Sequence, residues 1–411
     1  MPLKTLISKP TPGFRAVPQI SANVLAVHGA TRSRALDHCA SVPTRTGHPI
    51  DVKALEQYLS QHVPEIKAPL EVKQFGFGQS NPTYQLTSAD KKRYVMRKKP
   101  PGKLLSKAAH KVEREYRVIA ALGPTDVPVP KAYCLCEDDS VVGTPFYVME
   151  FLDGRIFEDL SLPNVSAEER TSLWRAAVQT LAKFHSVDFR KVGLESFGKS
   201  DGFYDRQLAT WKQICTAQSK AVDVDTKKPV GQIPHFDEML QFFADKNLQP
   251  RHRATLVHGD YKLDNMVFHK TESRVIGILD WEMSTVGHPL SDLGNLLMPF
   301  YTHKATSSYN PTGSAFLPGA TPGLPTPDII LAWYKEAAGW DPQPEINWAL
   351  AFAIFRGSAI SQGIAARYAA RQASSAEAQK YAESFKPLGE LAWSLVEQQK
   401  AKSKTTEKAK L

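Results

Sequence analysis

The sequence predicts an α+β protein of two lobes, a small one built on an antiparallel sheet and a larger one that is mainly helical. Three observations carry this. Up to about residue 152, short apolar runs alternate with polar residues and are broken by Gly and Pro. From Ser166 onward, apolar residues recur at helical spacing. Between the helical stretches lies 256–282, LVHGDYKLDNMVFHKTESRVIGILDWE, where two polar clusters sit between apolar runs that read as short strands. With 411 residues the chain is long enough for two or three domains or lobes. The reading divides it into an arm over 1–47, a small lobe over 48–152, a large lobe over 153–398 and a basic tail over 399–411.

Composition narrows the class. Hydrophobic residues make up 42% and charged residues 23%, which is ordinary for a globular chain. No apolar run reaches the roughly 18–20 residues of a membrane span, so no span is expected. Net charge is +9, but the basic residues are scattered and much of the excess lies at the two ends. An anionic small substrate or a nucleotide accounts for it as well as nucleic acid would, and no nucleic-acid partner is expected. Cys39, Cys134, Cys136 and Cys215 lack metal-ligand spacing and read as reduced thiols of an intracellular protein. Residues 1–48 carry Lys4, Lys9, Arg15, Arg32, Arg34 and Arg45 against one acid, Asp37, which fits a mitochondrial presequence or a disordered arm.

In order, the first predicted element is a helix over 51–59, with Asp51 as N-cap and Leu55, Tyr58 and Leu59 on one face. Strands follow at 70–75 and 83–86. They flank Gly76-Phe77-Gly78-Gln79-Ser80-Asn81, where glycines would let backbone N–H groups approach phosphate oxygens. A basic strand, 93–99, comes next. On it Lys98 should face away from Arg97, and Lys98 and Lys99 read as solvated charge. The helix over 108–122 offers Glu113 and Glu115 as acidic partners for the strand. After Val127-Pro128-Val129-Pro130 come strands around Tyr133 and over 145–152, ending at the turn Asp153-Gly154.

The large lobe opens on Ser166-Ala-Glu-Glu169, a capping box. The helix behind it ends near His185, read as a core-facing structural histidine. Two helices joined by a polar segment, 219–234, occupy 203–250. The stretch 302–327, rich in Pro, Gly, Ser and Thr, reads as a long loop of functional or mobile kind. Helices return over 327–339 and 344–371. The second places Arg356, Gln362 and Arg367 roughly on one side, as an anion-binding face for the acceptor or as a solvated, salt-bridged face.

The chemistry concentrates at 256–282. The polar segment 269–273 makes 266–280 a β-hairpin, whose two ends bring Asn265 near Asp280. Magnesium prefers hard oxygen ligands and keeps its waters, so Asp280, Asn265 and phosphate oxygens form a reasonable octahedral set. Asp260 is then free to accept a proton from a hydroxyl nucleophile. An Asp in a loop, an Asn beyond it and a metal-binding Asp after a hairpin is the layout of kinase catalytic machinery.

His258-Gly259-Asp260, Asn265 and Asp280-Trp281-Glu282 together resemble the aminoglycoside phosphotransferase and choline kinase-like family. With YVMRKKPPGK (94–103), EREY (113–116) and Gln362-Gly363-Ile364, residues 45 to about 398 resemble more narrowly the kinase-like N-terminal domains of acyl-CoA dehydrogenase family members. The resemblance implies a bilobal protein-kinase-like fold, a nucleotide-binding small lobe, and ATP and Mg2+ as cofactors. It implies transfer of phosphate to a hydroxyl of a small molecule, such as a hydroxyacyl-CoA or hydroxy acid. It places Asp260 as the catalytic residue, Asn265 and Asp280 as metal ligands, and Gly76, Gly78, Ser80 and Asn81 in the nucleotide flap. Arg97 stands at the phosphate-binding basic position, where a lysine is usual, and Glu115 is its partner. Backbone groups of Glu150 and Leu152 meet the adenine edge, with Met149 behind. His258 and Asp292 support the catalytic loop, although Asp292 could equally cap the helix that follows. Glu282 is assigned to the ion's water shell or the acceptor.

Two other classes stay open: a nucleotide-binding pseudokinase with a regulatory role, which Arg97 keeps in view, and a protein kinase. His-Gly-Asp in place of His-Arg-Asp, and the lack of an Ala-Pro-Glu segment after Asp280, count against the latter. The C-terminal Ala409-Lys410-Leu411 resembles the Ser-Lys-Leu address, so a peroxisomal import receptor is an expected partner and the peroxisome an expected location. The mitochondrion and the cytoplasm are the alternatives.

Overall fold

The computed structural model describes residues 50–75, 81–100, 111–303, 305–306, 311–373 and 378–408. The arm over 1–47, Cys39, Gly76, Gly78, Ser80 and Ala409-Lys410-Leu411 lie outside the described residues. The small lobe starts with α1 (Val52–His62), where the Asp51 carboxylate accepts from the Ala54 amide at 3.0 Å and Leu55 and Leu59 face inward. Then come β1 (Glu71–Gln74), β2 (Thr83–Thr87), β3 (Arg93–Lys98), α2 (Val112–Leu122), β4 (Ala132–Cys136), the short α3 (Asp139–Val142) and β5 (Phe146–Glu150). The strands form one five-stranded antiparallel sheet in the order β1-β2-β3-β5-β4.

Strand β3 is the centre of this sheet and is covered on both faces. Tyr94 and Met96 pack with Leu55 and Leu59 of α1. Val95 joins the other core, with Val118 and Ile119 of α2. Alternation therefore sends Lys98 away from Arg97, as its place on the strand predicts. It does not send Lys98 to water. Lys98 is buried beside α3 and donates Nζ to the Val142 carbonyl at 2.6 Å, and burial lowers its pKa. The solvated-charge reading fails there because α1 and α3 roof the outer face of the sheet. Lys99 pairs with Glu113 at 3.1 Å.

The chain crosses to the large lobe at Gly154 and Arg155. Arg155 exchanges two backbone hydrogen bonds with Phe268, at 2.7 and 2.8 Å, tying the crossing segment to the catalytic hairpin. A Cβ on Gly154 would meet the Phe268 carbonyl at 2.2 Å, so only glycine allows this approach.

In the large lobe, α4 (Ala167–Ser186) is capped by Ser166, which accepts from the Glu169 amide at 3.2 Å. It is followed by α5 (Phe203–Gln218), α6 (Phe236–Ala244), β6 (Thr255–Val257), β7 (Met266–Phe268), β8 (Val275–Ile278) and β9 (Thr285–Gly287). Strands β7 and β8 form the expected hairpin, with Met266 opposite Ile278. Strands β6 and β9 form a second ribbon that frames it. Then come α7 (Leu290–Leu297), α8 (Pro299–Thr302), α9 (Pro327–Ala338), α10 (Ile346–Ala369), α11 (Ala378–Glu383) and α12 (Phe385–Lys408). The segment expected as a basic tail is thus the end of α12 as far as Lys408. The described part of 302–327 is not loose. Thr171 donates to the Gly323 carbonyl at 2.7 Å, and Phe316 packs on Trp174 and Phe300.

Helix α10 is the spine of the large lobe, packed against α5, α7, α11 and α12. Its length and apolarity would allow it to cross a membrane, contrary to the expectation that no run qualifies. In the fold, 94% of its apolar window is buried by protein, as in the core helix of a globular chain.

Gly154→Ala should destabilise the protein by about 1–3 kcal/mol through this steric conflict. A lowered urea midpoint with an unchanged slope is the expected readout.

Candidate active site

Strand β6 delivers the chain into His258-Gly259-Asp260, and a buried carboxylate fixes that turn. Asp292, in the first turn of α7, accepts from the His258 amide at 2.7 Å and the Gly259 amide at 2.8 Å. It also meets His185 Nε2 at 3.2 Å, and His185 Nδ1 meets the Tyr334 hydroxyl at 2.8 Å. Burial alone would raise the Asp292 carboxyl, but the bond to His185 and the amides outweigh it and hold the pKa below the usual value. Asp292 does not cap its own helix; its side chain is spent on the loop. Gly259 has φ +85° and lies against Met283, where a Cβ would fall 2.8 Å from the Met283 carbonyl oxygen. Its own carbonyl accepts from Asn295 Nδ2 at 3.0 Å and from the Arg356 guanidinium at 2.9 Å.

Asp260 follows, almost fully buried. Its amide donates to His258 Nδ1 at 3.2 Å, while His258 Nε2 donates to the Leu279 carbonyl at 2.8 Å. That pair of contacts sets the tautomer. Asn265 donates its side-chain amide to the Asp260 carbonyl at 2.9 Å and to Asp260 Oδ2 at 3.0 Å. The Asn265 carbonyl accepts from the Leu279 amide at 2.8 Å, so the hairpin does bring residue 265 beside residues 279–280. Lys262 lies 3.6 Å from Asp260 Oδ2 and 3.1 Å from Asp264 Oδ2. Burial would lower its pKa, but the two carboxylates outweigh burial and raise it.

Asp280 sits at φ 64°, ψ 60°, a left-handed conformation that non-glycine residues adopt at a cost. Trp281 anchors the strained turn by packing on His258 and Phe184 and donating to the Ile278 carbonyl at 2.8 Å. Asp280 Oδ1 accepts from Arg97 at 2.8 Å, and the same guanidinium lies 3.6 Å from Glu282 Oε2. Burial would raise the Asp280 carboxyl, but Arg97 outweighs it and lowers the pKa. Arg97 Nε approaches Glu115 Oε2 at 3.2 Å as an ion pair without the alignment of a hydrogen bond. Glu115 is fully buried and accepts from Asn81 Nδ2 at 2.7 Å and from the Tyr147 hydroxyl at 3.0 Å. Of the two acids offered by α2, Glu115 turns inward to Arg97 and Glu113 goes to Lys99.

Other sequence-based placements change. Asn81, expected in the phosphate flap, is fully buried and donates its amide to Glu115 behind Arg97. Arg356 and Gln362 do not share an open helix face with Arg367, whether for an anion or for solvent, because both are buried. Arg356 is buried, donating to Gly259 and to Asn295 Oδ1 at 2.8 Å. Gln362 is fully buried and donates to the Gly231 carbonyl at 2.8 Å, and Arg367 is half-buried near Gly363. At the hinge, the Glu150 amide donates to the Lys131 carbonyl at 2.8 Å, so that donor is already used. Leu152 forms no backbone hydrogen bond with the described residues, and its side chain packs onto Gly277 of β8. Sequence reasoning missed Asn295, one helical turn after Asp292, and Lys262, two residues after Asp260. It also missed Arg114, which pins α2 to the large lobe through the carbonyls of Phe197 at 2.9 Å and Ser284 at 3.2 Å.

The cleft gathers Glu115, Asp260, Asp264, Asp280 and Glu282 against Arg97 and Lys262, with Arg356 behind the loop. No three His, Cys, Asp or Glu side chains among the described residues converge as a metal cage. Magnesium needs none, since it takes one or two protein oxygens and fills its octahedron with phosphate and water. The Asp280 carboxylate and the Asn265 amide oxygen fit that role, because the Asn265 nitrogen is the atom spent on Asp260.

Comparison with known proteins shows which family the chain resembles over most of its length. The model of the phosphotransferase enzyme family matches residues 71–353. The chain is 39% identical over 348 residues to acyl-CoA dehydrogenase family member 11 of Rattus norvegicus, covering 84% of this chain and 43% of that protein. It therefore spans well under half the length of that relative. A solved Ralstonia eutropha protein, assigned provisionally as an aminoglycoside phosphotransferase, superposes with TM-score 0.73 at 38% identity, covering 85% of this chain and 99% of that one. An aminoglycoside phosphotransferase solved with streptomycin and ATP shares the fold alone, at TM-score 0.51 and 16% identity over 76% of this chain and 90% of that one.

Burial pushes the Glu115 carboxyl up from 4.5 to about 7, only partly offset by Arg97. The folded state then binds the extra proton between these values. Glu115 thus contributes stability that is fully present below about 4.5 and is lost as pH rises through about 7. The stability difference between the wild type and Glu115→Gln should shift against the wild type as pH goes from acid to neutral. Urea midpoints of both proteins across that range test it, and a flat difference contradicts it.

Proposed function

Because the chain belongs to the phosphotransferase enzyme family, we propose that it transfers the γ-phosphoryl group of ATP to a hydroxyl of a small-molecule acceptor. The observation that carries this reading is Asp260 held by the Asn265 amide, beside Asp280 at the end of the same hairpin. A carboxylate fixed this way can orient an acceptor hydroxyl and take its proton. Asn265 and Asp280 would hold Mg2+, which when bound neutralises phosphate charge. Arg97, kept in place by Glu115, would steady the phosphates bidentately. Lys262 sits where it would offset charge building up beside Asp260. Catalysis on this reading is positioning and charge stabilisation.

For the acceptor we propose a hydroxyacyl-CoA or a hydroxy acid. The support is the similarity to proteins named for acyl-CoA chemistry, of which this chain covers 43% in the case of the rat protein. A specific observation favours a second reading: the Arg97 guanidinium is engaged by Glu115, Asp280 and Glu282 together, which suits a nucleotide-binding protein without turnover.

The test is magnesium-dependent ATP consumption against hydroxyacyl-CoAs, free hydroxy acids, choline and aminoglycosides. Turnover on one class is expected. Asp260→Asn should lower kcat by about 10²–10⁴-fold with little change in KM for ATP. Nucleotide binding with no turnover on any acceptor would favour the second reading.

A further inference from the structure

We propose that the large lobe carries a second binding site, for a small organic anion, in a half-open cavity behind the catalytic loop. The cavity holds about 400 Å³ and lies between the end of α4, the segment entering β6 and the turn after α9. His185 and Trp340 both line it.

Three features define what it would take. The Arg253 guanidinium lies 4.0 Å from the centre of the Trp340 ring, so stacking fixes its plane along the ring. Arg253 and Thr255 line the cavity, and among the described residues neither Arg253 Nε nor Thr255 Oγ1 has a hydrogen-bond partner. A buried donor left unpaired costs about 1–3 kcal/mol, so two in one cavity lining call for an acceptor. His252, at the exposed rim, adds a further N–H and pairs weakly with Asp201 at 3.6 Å. The guanidinium donates only, and the hydroxyl and the imidazole can each donate, so an oxyanion can accept from all three. Apart from Ser186, the remaining lining is apolar, with Trp340, Pro289 and three alanines. The chemistry fits a carboxylate or phosphate monoester carrying a small apolar body.

This is not the nucleotide cleft, since none of Arg97, Asp260, Asn265 and Asp280 lines it. The two places are nevertheless joined, because His185 in the cavity lining bonds Asp292, which holds the His258 and Gly259 amides.

Isothermal calorimetry on the full chain, with phenylacetate, phenyl phosphate and inorganic phosphate as probes, tests the proposal. Saturable binding of at least one probe is expected. Preference for phenylacetate would identify a carboxylate site, and preference for either phosphate a phosphate site. Arg253→Gln and Thr255→Val should each weaken it at least about tenfold, the loss of one charge-assisted hydrogen bond. Affinity for a non-hydrolysable ATP analogue should stay unchanged in both variants. Arg253→Lys, which keeps the charge, should retain part of the binding. If Arg253→Gln does not fold, Thr255→Val decides. No saturable binding of any probe, binding indifferent to Thr255→Val, or displacement of the probe by the ATP analogue would overturn the proposal.

Discussion

The carboxylate of Asp292 is the constraint on which the catalytic loop depends. It lies in a helix of the large lobe, yet it satisfies two consecutive backbone amides of a turn that has no ladder of its own. A buried amide without a partner is costly, and two adjacent ones would release the turn. Asn295 and Arg356 complete the arrangement by donating to the Gly259 carbonyl. The turn is thus clamped from the donor and the acceptor side, and Asp260 leaves it in one direction. Tyr261 adds an anchor from below, its hydroxyl donating to the Ala177 carbonyl at 2.8 Å.

The second junction is electrostatic and joins the lobes. Arg97 comes from the central strand of the small lobe, Asp280 and Glu282 from the large one, and Glu115 from the helix between them. Arg114, next to Glu115, binds two large-lobe carbonyls and keeps that helix against the cleft. Ion pairing of this burial contributes little net stability, since desolvation offsets most of the attraction. Its value is geometric: each partner is costly to leave alone, so the lobes meet in one register.

Much of this was legible in the sequence where the geometry is local. Asn265 and Asp280 flank one short hairpin, and strand pairing brings them together, with Asp260 on the loop just before it. Glu115 and Arg97 needed the family pattern, because nothing in the periodicity of α2 chooses between Glu113 and Glu115. The misread positions share a cause. Periodicity says which side of a helix a residue occupies, but not what covers that side. Helix α10 is covered all round, so Arg356 and Gln362 point at buried carbonyls rather than at an acceptor. Lys98 was misread for the same reason, since the roof over its strand comes from α1 and α3. Strands β6 and β9 are three residues each, too short to show any alternation.

The arginine at position 97 also determines how the cleft responds to covalent chemistry. Amine-directed nucleotide analogues label a lysine that faces the phosphates, and here that position presents a guanidinium. Its neighbour Lys98 is turned into the opposite face of the sheet with its amine on a carbonyl. Among the described residues, the amine in the cleft is that of Lys262, held between Asp260 and Asp264 on the large-lobe side. Of the described lysines, it is thus the one on the catalytic loop, and not one on the central strand of the small lobe, that such a reagent would meet.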